Sequence, residues 1–234
     1  MLIIAMPKSA STSLTNTLGE ISRRNTMLGI PAINIDIDCE GFKEVQKYHC
    51  NMIERSPLFI KQIINGQKKI FKEHLLPTSR HLKILAKFKK PILILLRDVD
   101  DCYDAYCRHD RAHFHKTKRH MDLKQVKKDL SEFHNKYMWW ASNKKHVLVV
   151  YFKDLVFEYN KTMKKIMKHF KLGGKIIPLR KDKFTGYGVE ALKKKEVEKI
   201  ESVEVIEEKE VQDVQKEEKK EEIKNDIDSS TEVS

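Results

Sequence analysis

The run Ile92-Leu-Ile-Leu-Leu96, set between Pro91 and Arg97, constrains this chain more than any other segment. It is apolar on both faces of a pleat, which is what a central strand of a parallel sheet requires, because helices cover such a strand above and below. Leu2-Ile-Ile-Ala-Met6, closed by Pro7, and Val147-Leu-Val-Val-Tyr151 are runs of the same kind. None approaches the roughly 18–20 apolar residues that cross a bilayer.

Between these runs apolar residues recur at helical spacing. A first helix runs from Ser11 to about Arg24 on Leu14, Leu18 and Ile21, and Gly29-Ile-Pro31 closes it. Ile33-Asn-Ile-Asp-Ile37 alternates as a short strand, and a helical stretch from about Phe42 to Asn65 is interrupted near Pro57. Lys69-Ile-Phe-Lys-Glu-His74 reads as a strand, Pro77 to about Phe88 as a helix, and Val99 to about His115 as another. Asp122 and Gln125 form a capping box for a helix whose apolar face is Leu123, Val126, Leu130, Phe133 and Tyr137. A last helix, on Met163, Ile166, Met167 and Phe170, runs to Gly173-Gly174. Strands separated by helices predict an α/β fold: three layers, α/β/α, around a central parallel sheet.

Charge narrows the partners. The 234 residues carry a net +12, and the distribution is uneven. Residues 191–234 hold 9 Lys against 15 Asp+Glu, so residues 1–190 carry +18. A body that basic favours anionic partners. From Lys193 to Ser234 there is no aromatic residue, Gly or Pro, a composition that cannot build a core. The expected organisation is a domain over 1–190 and a charged tail over 191–234, disordered or partly helical at its start. Met1 to Met6 meets Pro7 and Lys8 too soon for a signal-peptide apolar region of about 7–15 residues. Four Cys (39, 50, 102, 107) then read as reduced thiols, and the expectation is a cytoplasmic protein.

Site chemistry concentrates where the first strand meets the first helix. Pro7 stops the strand, and Lys8-Ser-Ala-Ser-Thr-Ser13 turns directly into the helix. Small, hydroxylated residues let the backbone curl around an anion, and the helix N-terminus adds N–H groups and partial positive charge. Lys8 adds a full charge, and Ser11, Thr12 and Ser13 add hydroxyls. The Walker spacing G-x-x-x-x-G-K-[ST] is absent.

This stretch resembles the phosphosulfate loop P-K-S-G-T-T of the sulfotransferases that use 3′-phosphoadenosine 5′-phosphosulfate (PAPS). Pro7, Lys8, Ser9, Ala10, Ser11 and Thr12 match it, with Ala10 at the glycine and Ser11 at the first threonine. Lys72-Glu-His-Leu-Leu-Pro77 resembles the K-T-H-L-P stretch, whose histidine serves the family as general base. The resemblance makes His74 the base toward an acceptor hydroxyl, a role suited to an imidazole. Glu73, which points to the opposite side of a continuing strand, is the reserve. Arg97 with Asp98 resembles the family's 3′-phosphate motif; Ala105 stands eight residues on, where the family has Ser, and Val99 replaces the proline. Val147 to Leu155 resembles the strand and turn that bring a tyrosine, here Tyr151, toward the adenine. Arg180-Lys-Asp-Lys-Phe-Thr-Gly-Tyr-Gly188 resembles the basic lid over the 3′-phosphate, which assigns Arg180, Lys181 and Gly186 to the cofactor.

The resemblance covers residues 1–190 and implies a sulfuryl transfer from PAPS to a hydroxyl or amine of a small-molecule or glycan acceptor, with no metal. Two alternatives stand beside it: a P-loop kinase-like phosphotransferase, and a non-catalytic protein that binds anions or nucleic acid on the same fold. Arg108 to His120 holds four His and five cationic residues outside the resemblance. His109 and His113 lie one helical turn apart, but no carboxylate or thiolate completes a metal set at a characteristic spacing. A basic rim that steers an anionic acceptor is the expected role, with a solvated helix end as the alternative.

Overall fold

The structure, a computed structural model, describes residues 1–28, 52–53, 69–113, 123–180, 189–190, 192–195 and 197. In chain order these form β1 (Leu2–Ala5), α1 (Ser11–Ser22), β2 (Asn25–Leu28), β3 (Met52–Ile53), β4 (Lys69–Leu75), α2 (Ser79–Ala86), β5 (Ile92–Leu96), α3 (Val99–His113), α4 (Leu123–Ala141), β6 (Val147–Tyr151), α5 (Phe152–Phe157) and α6 (Tyr159–Phe170).

Every strand pair among the described residues is parallel, in the order β2-β4-β1-β5-β6, with β3 on β4. The fold is therefore the α/β class that the apolar runs demand. β1 lies at the centre, with Ile4 opposite Glu73 on one side and Ile94 on the other. Side chains of β1 and β5 alternate between two cores. Leu2, Ile4, Ile92, Ile94 and Leu96 pack with Tyr106 of α3 and Val126, Leu130, Phe133 and Tyr137 of α4. Ile3, Ala5, Leu93 and Leu95 pack with Leu14 and Leu18 of α1 and with Met163, Ile166 and Phe170 of α6. Each large apolar side chain buried this way is worth about 1.5–3 kcal/mol over an exposed one. Helices above and below thus remove both faces of the sheet from water.

The elements depart from the sequence expectations at several ends. α1 stops at Ser22, where Arg23 turns left-handed (φ 50°) and its N–H reaches the Glu20 carbonyl. The next strand, Asn25–Leu28, follows at once and pairs with Lys69–Lys72. Met52–Ile53 is strand where helix was expected, since it pairs with His74 and Leu75 of β4. The expected strand 33–37 and the rest of the expected helix 42–65 lie outside the described residues. So does Asp122 of the expected capping box, and the Gln125 amide donates to Asp129 Oδ1 at 2.7 Å. α6 ends on a left-handed Lys171 (φ 52°), two residues before the glycine pair. Gly174 has φ +112°, and a Cβ there would meet the Ile21 carbonyl at 3.2 Å.

The chain divides into a unit Met1–Gly188 and a unit Val189–Ser234. In the second, residues 189–190, 192–195 and 197 are helical. Among the described residues no helix is long and apolar enough to cross a membrane.

Candidate functional site

The site grows from the C-terminal end of β1, where open parallel sheets gather their ligands. Met6 keeps one more bond to the sheet, N–H to the Leu95 carbonyl at 2.8 Å. The chain then turns through Pro7 to Ala10 into α1. Lys8 and Ala10 both adopt φ 60°, a left-handed conformation that costs a non-glycine residue about 1–2 kcal/mol. Ala10 is the N-cap and has no side chain to close the helix start. The first intrahelical bond is Leu14 N–H to the Ala10 carbonyl at 3.1 Å. The N–H groups of Ser11, Thr12 and Ser13 precede it and point out of the helix end, where its dipole is positive. Ser9, Ser11 and Ser13 are buried, while Lys8, Ala10 and Thr12 remain half-buried at the surface of the turn.

Four consecutive carbonyls through this turn accept from side chains. His74 Nδ1 donates to Ala5 at 2.7 Å and the Ser9 hydroxyl to Met6 at 2.5 Å. The Cys102 thiol donates to Pro7 at 3.0 Å and Arg97 Nη1 to Lys8 at 2.8 Å. Three of these donors come from β4, from the end of β5 and from α3, so the sheet itself shapes the loop.

His74 is buried. A carbonyl can only accept, so the bond to Ala5 places the ring proton on Nδ1 and leaves the lone pair on Nε2. Lys72 Nζ faces that lone pair at 3.2 Å. Burial first, then the charges of Lys72 and Lys8, push the His74 pKa down to about 3 against the opposing pull of the Ala5 carbonyl. The ring is therefore neutral at physiological pH. Burial also lowers the pKa of Lys72, with Glu73 opposing. For Cys102, burial outweighs the attraction of Arg97 and Lys8 and pushes the thiol up to about 12. It stays protonated, a donor rather than a nucleophile.

The structure thus gathers Pro7, Lys8, Ser9, Ala10, Ser11, Thr12, Ser13, His74 and Arg97 around one turn. Arg97 is only 4% exposed, and its guanidinium carbon sits 4.7 Å from the Phe152 ring centre while Nη1 holds Lys8. Lys8 Nζ lies 5.6 Å from the Tyr106 ring centre, and half-buried Ala105 precedes that tyrosine on α3. Glu73 is buried on the face of β4 that carries Phe71 and Leu75, opposite Lys72 and His74. The Tyr151 hydroxyl donates to Met138 Sδ at 3.3 Å, and its ring stands 6.0 Å from that of His134, so it leans on α4.

Arg180 sits apart from the loop. Its N–H donates to Thr17 Oγ1 at 2.9 Å and its guanidinium pairs with Glu20, ~13 Å along α1 from Ser11. Lys181 and Gly186 lie outside the described residues, as do the side chains of His109 and His113. Among the described residues no three metal-ligating side chains cluster.

Two members of the site carried no role in the sequence reading. Lys72 could have been found, since a strand places residues two apart on one face, beside His74. Nothing in the sequence marks Cys102.

No family model matches the sequence, and no curated protein matches it. Solved structures do. The mouse sulfotransferase SULT7A1, complexed with PAP, superposes with a TM-score of 0.51 at 13% identity over 82% of this chain. This chain spans 62% of that enzyme's length. A sulfotransferase from Alicyclobacillus acidocaldarius gives a TM-score of 0.49 at 12% identity, over 82% of this chain and 94% of the other. The likeness to the mouse enzyme shows that this chain has a sulfotransferase-type α/β fold.

Proposed function

We propose that the protein transfers a sulfuryl group from PAPS to a hydroxyl or amine of an acceptor. The observation that carries this reading is the placement of a charged, N–H-rich turn beside a histidine whose tautomer is fixed. Lys8 and the N–H groups at the start of α1 face the position where an anionic 5′-phosphosulfate would lie. His74 is neutral, with its lone pair on Nε2, as a general base must be. The mouse enzyme that shares the fold holds PAP, the product that such a transfer would leave here.

In this reaction the acceptor oxygen or nitrogen attacks sulfur, and the bond from sulfur to the bridging phosphate oxygen breaks. The acceptor proton goes to His74 Nε2, and PAP departs with its new negative charge beside Lys8. Lys72 occupies Nε2 at rest. An anion in the turn draws that ammonium toward itself and frees the lone pair. Positioning and charge neutralisation supply most of the acceleration, as in phosphoryl transfer.

One observation favours a second reading. With its pKa near 3 and Lys72 on its lone pair, His74 is a weak base at rest, as in a protein that binds an anion without reacting it. Incubation of the protein with radiolabelled PAPS and a panel of glycan, lipid, phenol and peptide acceptors separates the two. Label moving to an acceptor supports transfer; PAP binding without any transfer across the panel supports the second reading.

A further inference from the structure

The four accepted carbonyls carry a consequence for the loop that no motif expresses. In a trans peptide the C=O and the N–H of the same plane point in opposite directions. A donor that holds one carbonyl therefore aims the following N–H the other way. Cys102 Sγ holds the Pro7 carbonyl and Arg97 Nη1 holds the Lys8 carbonyl, so the N–H groups of Lys8 and Ser9 face away from the thiol and the guanidinium. An anion-binding turn needs this arrangement, because a carbonyl rotated toward the ligand would present partial negative charge to it.

We infer that Cys102 and Arg97 are positioning residues that set the loop's peptide planes for the anion, and that Arg97 acts there through Lys8. This rests on the reading of the turn as the PAPS phosphate site. Cys102 is the more telling of the two. It is wholly buried at the start of α3, where a small apolar residue would fill the same space. Packing alone asks only for volume, whereas orientation asks for a donor, and a thiol supplies one. Its protonated state follows from the same burial. Arg97 meanwhile brings a full positive charge beneath the loop while Nη1 donates to the Lys8 carbonyl.

The two roles order the substitutions oppositely. Cys102→Ser keeps a donor and gives up volume; Cys102→Val keeps volume and gives up the donor. Calorimetric titration of the full chain with PAP and with inorganic pyrophosphate, together with melting curves, reads both. The expected result is a Ser variant within about twofold of the parent in affinity and a Val variant about threefold to tenfold weaker, the worth of one hydrogen bond. Cys102→Ala, a second donor-free variant, should follow Val and not Ser even if Val disturbs folding. A Val or Ala variant that binds as tightly as the parent, or a Ser variant weaker than Val, overturns the inference. A parent that binds pyrophosphate but not PAP removes the PAPS reading, and the Ser and Val order on pyrophosphate still decides the role of Cys102. A parent that binds neither overturns both.

Discussion

His74 and Ala5, on neighbouring strands, are joined by a 2.7 Å bond from the imidazole Nδ1 to the backbone carbonyl. One contact does two things. It holds the last carbonyl of β1 before the turn, and it leaves the lone pair of His74 on Nε2, the nitrogen that Lys72 faces at 3.2 Å. The candidate binding loop and the candidate base are thereby set by the same side chain, so a substitution at position 74 must separate the two roles.

Asparagine does so. His74→Asn offers an amide N–H near the place of Nδ1 but has no basic nitrogen. Its PAP affinity should stay within about twofold of the parent, and its turnover should fall by about 10²–10⁴-fold, the usual worth of a positioned general base. His74→Ala should lose turnover and, by releasing the Ala5 carbonyl, some PAP affinity as well. Titration and a transfer assay on the same preparations check both. An Asn variant with parental turnover removes His74 from the chemistry.

Stability should fall with acid in a definite window. The folded-state pKa of His74 is about 3, below the ordinary value near 6.5. The unfolded chain takes up this proton near pH 6.5 and the folded protein does so only near pH 3, so stability is lost as pH falls between them. Burial lowers His146 and His169 as well, in the same direction. The Met1 ammonium, its pKa lowered by burial from 8.0 to about 6, adds a loss of the same sign between pH 8 and pH 6. Melting temperatures should therefore fall steadily from pH 8 to pH 5. His74→Asn should reduce the slope, and an unchanged slope would show that His74 titrates normally in the folded state.

Ala10 holds φ 60° where glycine would be at ease. Ala10→Gly relieves that strain but adds freedom to the unfolded chain, and the net effect should lie between zero and about 1 kcal/mol of added stability. Denaturant unfolding reads it. A loss of 1 kcal/mol or more would mean that the Ala10 methyl makes contacts worth more than the strain.

Truncation after Gly188 should leave the melting temperature and PAP affinity of the remaining chain close to parental. The residues beyond are dominated by Lys and Glu, and such a composition buries little. A drop of several degrees in melting temperature would show that the tail contributes to the body's stability.

Much of this was legible in the sequence, because burial on both faces writes itself locally. Ile92–Leu96 and Leu2–Ala5 have no polar face to hide, so their place in a parallel sheet follows from the residues alone. β2 was harder: Asn25-Thr-Met-Leu28 has no strand pattern of its own and is strand because Lys69–Lys72 pairs with it. Met52–Ile53 owes its state to His74 and Leu75 in the same way. In the site, the spacing of Pro7 to Ser13 gave the loop, since small residues before a helix are a local signal. Direction was illegible. The sequence supplies the charge of Arg97 but not its turn inward to Lys8, and it supplies a cysteine at 102 without its bond to Pro7.

Titration of the full chain with PAP beside Lys8→Ala decides whether the turn from Pro7 to Ser13 is the phosphate site of a PAPS-using protein. The expected result is saturable binding at one site per chain, weakened at least tenfold by the loss of the Lys8 ammonium while the melting temperature holds. PAP binding that is undiminished in Lys8→Ala, or absent from the parent at millimolar PAP, would contradict it.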